Sequence, residues 1–224
     1  MSAPADITGA GSSDPDHDCG LCPRLAAFRQ ANRAAEPAWH NGPVDTWVCA
    51  GGDDAVRLLI VGLAPGLRGA NRTGRPFTGD YAGELLYATL GRFGFARGGY
   101  GAAADDGMEL VGCAITNAVR CVPPENKPTG AEIGNCRPFL KRTVRRFGRL
   151  RAILALGRIA HDSALRALGA RPAEVPFAHG GWHDVGGVRL FASYHCSRYN
   201  TNTGRLTAAM FAQVVAGIAG NLAE

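Results

Sequence analysis

Short apolar runs alternate with amphipathic stretches along this chain. Four runs read as buried strands: Val56–Leu63, Leu110–Asn117, Ala152–Leu156 and Val188–Ser193. Apolar positions recur at helical spacing over Gly83–Phe93, Gly130–Phe147, Arg158–Leu168 and Thr203–Ala219. Strands and helices in alternation predict an α/β fold, a parallel sheet covered by helices on both faces. Neither an internal repeat nor a second domain is evident. One domain is expected over residues 19–224, after a polar, flexible leader at 1–18, "MSAPADITGAGSSDPDHD".

In such sheets ligands bind beyond the carboxyl ends of the strands. Three polar turns fall there by this reading: "GLAPGLRGANRTGRPFTGD" (62–80), "NAVRCVPPENKP" (117–128) and "YHCSRYNTNTGR" (194–205). The first lacks the Lys of a Walker loop and the glycine spacing of a dinucleotide fingerprint. Phe77 within it reads either as a core anchor or as a platform for a planar ligand, since base-on-aromatic stacking contributes roughly 1–3 kcal/mol. Asp80 can cap the next helix, face a ligand, or both. Asn117 ends a strand with an amide that donates and accepts at once, as reading a base edge requires. His195 ends another strand beside a polar turn.

Composition changes this picture in three places. The 224 residues are 46% apolar, enough for a core, and no apolar run approaches the roughly 18 residues of a membrane span. The N-terminal stretch lacks the basic and apolar regions of a signal peptide, so a cytoplasmic protein is expected. The formal charge is +5, and Lys127 and Lys141 are the only lysines among 24 basic residues. An arginine-rich surface suits a polyanionic partner, and codon composition explains it equally well. Seven cysteines in a reducing compartment do not suggest a disulfide framework. Cys19 and Cys22 form "CGLC", while Cys121 and Cys136 lie in "RCVPPENKPTGAEIGNC". Structural zinc competes closely on spacing, although the second pair is not a Cys-x-x-Cys knuckle. Cys49, Cys113 and Cys196 read as buried thiols.

The three turns and the four cysteines, in this order, resemble the family 5 uracil-DNA glycosylases, the iron–sulfur branch of that superfamily. The resemblance runs from Cys19 to the final helix. It implies a three-layer α/β/α sandwich around a central parallel sheet of four strands. It also implies that Cys19, Cys22, Cys121 and Cys136 hold a structural 4Fe–4S cluster. The implied partner is DNA containing uracil or another deaminated base, bound by a monomer.

The resemblance further implies that the base is flipped into a pocket, stacked on Phe77 and read by Asn117, with Gly62, Leu63 and Ala64 in the wall. His195 would donate to the departing base, and Asp80 would stabilise the sugar cation and orient water. No lysine stands among these residues, so release of the base without strand cleavage is expected. Leu63 occupies a position that is polar in several related families, which fits acceptance of hypoxanthine beside uracil. Cys196 departs from the Pro that often follows the His. Arg198 and Tyr199 are candidates for the wedge that fills the vacated stack. Asn71, Arg72 and Arg75 are expected on the DNA backbone, and Asn202, Thr203, Gly204 and Arg205 are read as opening a helix whose amides suit phosphate. The rival reading is a non-catalytic nucleic-acid-binding module with a structural metal.

Overall fold

The computed structural model describes residues 12–224; residues 1–11 of the expected leader lie outside the described residues. In chain order the elements are α1 (Pro23–Ala35), β1 (Trp47–Val48), β2 (Leu58–Gly62), α2 (Ala70–Thr73), α3 (Tyr81–Arg92), β3 (Ala96–Arg97) and β4 (Glu109–Leu110). There follow β5 (Cys113–Asn117), α4 (Gly130–Arg146), β6 (Ala152–Leu156), α5 (Arg158–Leu168), β7 (Trp182–Val185), β8 (Val188–Ser193), α6 (Arg198–Asn202) and α7 (Ala208–Ala223).

Strands β2, β5 and β6 are buried along their whole length, which is why their sequences are continuous apolar runs rather than alternating ones. With β8 they form the parallel centre of a six-stranded sheet in the order β1-β5-β2-β6-β8-β7. The expected four strands are therefore that centre, and the sheet is larger. Antiparallel β1 and β7 close its two edges. Helix α4 packs on α5 and α3 packs on α7, giving the helical layers of an α/β/α sandwich.

Of the boundaries that differ from expectation, two have clear local reasons. The run Leu110–Asn117 is broken at Gly112, whose φ of +61° bends the chain. Glu109–Leu110 pairs with β3 in a separate two-stranded sheet, and the main-sheet strand begins at Cys113. The last helix starts at Ala208, not Thr203, because Thr207 caps it by accepting from the Met210 N–H at 3.2 Å. Asn202 ends α6, and Thr203, Gly204 and Arg205 form the exposed turn after it, with Gly204 at φ +70°. They do not open a helix.

The described part of the leader is not free chain. Asp14 pairs with the wholly buried Arg120 and accepts from Thr46 N and Oγ1, both at 2.9 Å. Burial pushes the Asp14 pKa up, but Arg120 and the Thr46 hydrogen bonds outweigh it and hold the carboxyl below its ordinary value. A buried guanidinium needs such a partner.

Candidate functional site

Strands β2 and β5 end side by side, with Gly62 opposite Asn117. A Cβ on Gly62 would stand 2.4 Å from Asn117 Oδ1 and 2.6 Å from Phe77 Cζ, so only glycine lets the amide and the ring meet over this strand end. Phe77 itself has φ +53°, an uncommon conformation for a bulky residue and one that the surrounding structure must enforce.

The same turn shelters a carboxylate. Asp80 caps α3 through Oδ1, which accepts from Ala82 N at 3.1 Å. Its Oδ2 lies over Gly66 and Gly69, where a Cβ would stand only 2.8 and 2.4 Å away. These glycines leave room for Asp80; they do not form a phosphate cradle. His195 follows β8, its carbonyl held by Asn200 Nδ2 at 2.8 Å. Its ring stacks against Phe77 with centroids 5.8 Å apart.

Phe77, Asp80, Asn117 and His195 line one cleft of about 420 Å³, together with Leu63 and Ala64. Gly62 sits behind Phe77 and Asn117, not on the surface of the cleft. Asn117 is 2% exposed, yet among the described residues its side-chain amide and the His195 ring bond to no other group of the chain. Both line the open cleft, where an occupant can bond to them. Burial pushes the His195 pKa down to about 4, so its imidazole is neutral at neutral pH. Burial also raises the Asp80 pKa, against two backbone hydrogen bonds that lower it.

Other expected site residues divide. Arg198 lines the cleft with its guanidinium 5.2 Å from the centre of the Tyr81 ring, so it belongs to the rim. Tyr199 is 72% exposed and stands free beside it. Asn202, Thr203, Gly204 and Arg205 are exposed on the same edge. Arg72 is also exposed and donates to the Arg68 carbonyl at 2.9 Å. Asn71 and Arg75 are not placed to meet DNA. Asn71 is wholly buried and donates to Asn41 Oδ1 at 2.9 Å. Arg75 turns inward to a bidentate pair with Asp106 at 2.8 and 2.7 Å.

Sequence reasoning did not single out Pro65, Gly66, Ala70 and Ala82 of the cleft wall, nor its polar residues Tyr81, Asn126 and Ser197. Asn126 was findable, because it lies in the polar turn "PPENKP" and Asn tolerates the left-handed backbone it adopts at φ +57°. Lys127 lies in the same turn, outside the cleft and exposed, its Nζ 3.1 Å from Glu125 Oε2.

Cys19, Cys22, Cys121 and Cys136 converge on a second, nearly closed cavity of about 20 Å³. Cys22 stands at the N-terminal boundary of α1 without a side-chain capping bond, Cys121 lies in the turn after β5, and Cys136 lies on α4. Burial pushes the Cys121 thiol up to about 12 and the Cys136 thiol up to about 11, so thiolates there require positive charge close by. The buried Arg29 supplies some, with Nη1 3.6 Å from Cys121 Sγ, while its Nε has no partner. The Arg120 N–H donates to Cys136 Sγ at 3.3 Å, and Asn135 Nδ2 to Cys22 Sγ at 3.6 Å. In donor chemistry alone, four thiols with hydrogen bonds aimed at sulfur suit a soft metal or an iron–sulfur group, but they are not drawn together around one point. Among the described residues no three Cys, His, Asp or Glu side chains are gathered as a metal ion would need.

The family model described as the Uracil DNA glycosylase superfamily matches residues 50–219. A type-5 uracil-DNA glycosylase of Thermus thermophilus is 43% identical over 199 residues, 88% of this chain and 90% of that protein. One of Pyrobaculum aerophilum is 41% identical, covering 88% of this chain and 86% of its own length. One of Mycobacterium leprae is 42% identical over 219 residues, 91% of this chain and 93% of that protein. With four of the expected side chains drawn to one strand-end cleft and likeness of this extent, the chain belongs to the uracil-DNA glycosylase superfamily and, within it, to the type-5 family.

Proposed function

We propose that this protein is a DNA repair hydrolase that removes uracil from DNA, leaving an abasic site. The observation that carries this reading is the convergence of Phe77, Asn117, Asp80 and His195 on one cleft in a chain of this family. The non-catalytic reading is not favoured, since it leaves that convergence without a purpose.

A base inside duplex DNA must be flipped out to be reached, at a cost of a few kcal/mol that a mismatch reduces. Phe77 stacks on the extruded ring and Asn117 hydrogen-bonds its edge. As the glycosidic bond breaks, negative charge grows on the base and positive charge on the sugar. His195, neutral at working pH, donates an N–H to the base oxygen where charge accumulates. A preorganised donor of this type contributes about 10²–10³ in rate. The Asp80 carboxylate faces the sugar cation and orients the water that adds to it, and a fresh abasic site is the end product. Tyr199, standing free at the rim, takes the place of the flipped nucleotide, and Arg72, Arg198 and Arg205 meet the backbone.

Leu63 gives the cleft wall an apolar side chain where a polar one would filter bases, so hypoxanthine is released beside uracil. Cys19, Cys22, Cys121 and Cys136 would hold a 4Fe–4S cluster in a structural role, tying α1, the turn after β5 and α4 together. The supports are the donor set and the unpartnered Arg29 Nε beside it.

The test is base release from labelled duplexes carrying uracil, hypoxanthine or a normal base, with alkali added afterwards. Alkali-dependent cleavage at uracil is expected, with a weaker product at hypoxanthine. No product from an iron-replete preparation overturns the catalytic reading.

A further inference from the structure

The segment from Gly98 to Gly107, "GGYGAAADDG", belongs to none of the three polar turns, yet two of its side chains reach into the first of them. Tyr100 Oη donates to the Phe77 carbonyl at 3.3 Å and accepts from Gly79 N at 3.2 Å. It thus bridges two left-handed residues of the turn, Phe77 at φ +53° and Gly79 at φ +91°. Gly83 allows the close approach, since a Cβ there would lie 2.4 Å from Tyr100 Oη and 2.0 Å from the Phe77 carbonyl oxygen.

Asp106 holds the other side. Its carboxylate takes both arms of Arg75 and closes its own loop by accepting from Gly101 N at 2.9 Å and Met108 N at 3.0 Å. Arg75 passes the restraint on, donating from Nε to Thr78 Oγ1 at 2.8 Å. The guanidinium also lies 4.6 Å from the centre of the Trp47 ring and 5.8 Å from that of Tyr87. Tyr87 packs against Tyr100 with centroids 4.8 Å apart and hydrogen-bonds the Pro76 carbonyl. Every residue from Arg75 to Gly79 is therefore tied by a side chain that lines no part of the cleft.

We propose that Tyr100 and Asp106 are positioning residues for base excision: they enforce the strained backbone that presents the Phe77 ring to the flipped base. The inference rests on the stacking role given to Phe77 above. A ring on a left-handed backbone swings away once its carbonyl and the next amides are released, and a displacement of about 1 Å in a positioned group can cost about 100-fold. Neither residue touches the substrate.

The test is a double-mutant cycle on uracil release under single-turnover conditions, using Tyr100→Phe, Phe77→Ala and the pair, with melting temperature measured in parallel. Tyr100→Phe keeps the ring and removes only the hydroxyl. It is expected to lower kcat/KM about tenfold, while in the Phe77→Ala background it changes kcat/KM by less than about twofold, because its only route to the substrate has gone. An equal loss in both backgrounds, or full activity of Tyr100→Phe, overturns the proposal. Asp106→Asn, with Asp106→Glu as rescue, repeats the test from the other side of the turn. If Phe77→Ala itself releases uracil normally, the stacking role fails, a result separate from the outcome of the cycle.

Discussion

At the carboxyl ends of β2 and β5 the chain leaves about 420 Å³ open and lines it with an amide and an imidazole that bond to no other side chain. Around Cys121 it leaves about 20 Å³, lined by four thiols whose neighbours are apolar side chains and inward-pointing donors. Both regions bury titratable groups, and burial shifts Asp80 and His195 in the one, and Cys22, Cys121 and Cys136 in the other, toward their neutral forms. The consequences differ because one is a roomy cleft open to solvent and the other a small cavity. In the cleft a neutral imidazole is the reagent the chemistry needs. In the cavity a neutral thiol is the idle form, and the site is completed only when positive charge joins the sulfurs. The proposed function gives chemistry to the first region and cohesion to the second.

The largest effect should come from the cleft. Asp80→Asn keeps a side chain that caps helices as well as Asp does, and His195→Gln keeps a hydrogen-bonding group, so both should fold. Each is expected to lower the rate of uracil release by about 10²–10³. Melting should move by no more than about 4 °C, the equivalent of roughly 1 kcal/mol in a chain of this size. A loss of rate that only followed loss of folded protein would dissolve the contrast between the regions.

Cys121→Ser and Cys136→Ser should behave the other way. Bound iron falls and melting drops by about 10 °C, since a ligand group held only by the folded state is folding free energy. The single-turnover rate of the molecules that remain folded should stay within about threefold. A variant that lost its iron yet melted normally would remove the structural role.

A third effect is read from pH. Because the cleft holds His195 neutral down to about 4, against 6.5 for an ordinary histidine, kcat/KM should show no limb near 6.5. The unfolded chain binds the extra proton across the interval from about 4 to 6.5, so stability rises with pH there and is lost as the medium is acidified. His195→Gln should flatten that slope in urea titrations. The acid limb of the rate should belong to Asp80 and lie above the ordinary carboxylate range, the direction in which burial moves it. The smallest effect expected is at Leu63: Leu63→Gln should change the ratio of hypoxanthine to uracil release by a few-fold, about 1 kcal/mol of discrimination.

How much of this was legible depended on whether the signal was local. Strands β6 and β8 and helix α5 run as their sequences suggest, because continuous burial writes an apolar run and Gly169 stops the helix at φ +90°. Strands β1 and β7 are absent from the sequence reading. Trp47–Val48 is too short to show a period, and Trp182, His183 and Asp184 are exposed, so β7 exists through its pairing with β8. Phe77, Asp80, Asn117 and His195 were legible because each stands in a polar turn at a strand end. Arg75 was misread for the opposite reason. Its partner Asp106 lies 31 residues further on, in a segment without a motif, and only the folded chain brings them together.

The two short edge strands have a consequence for how the protein behaves in bulk. Had the sheet ended at its four parallel strands, β5 and β8 would each have offered open backbone groups beside apolar side chains. Such an edge templates aggregation by other copies. Two residues on one side and four on the other end that invitation. They run antiparallel, stop early, and on β7 carry His183 and Asp184 toward water. Colloidal stability of an apolar parallel sheet thus rests on the parts of the sequence with the least strand character.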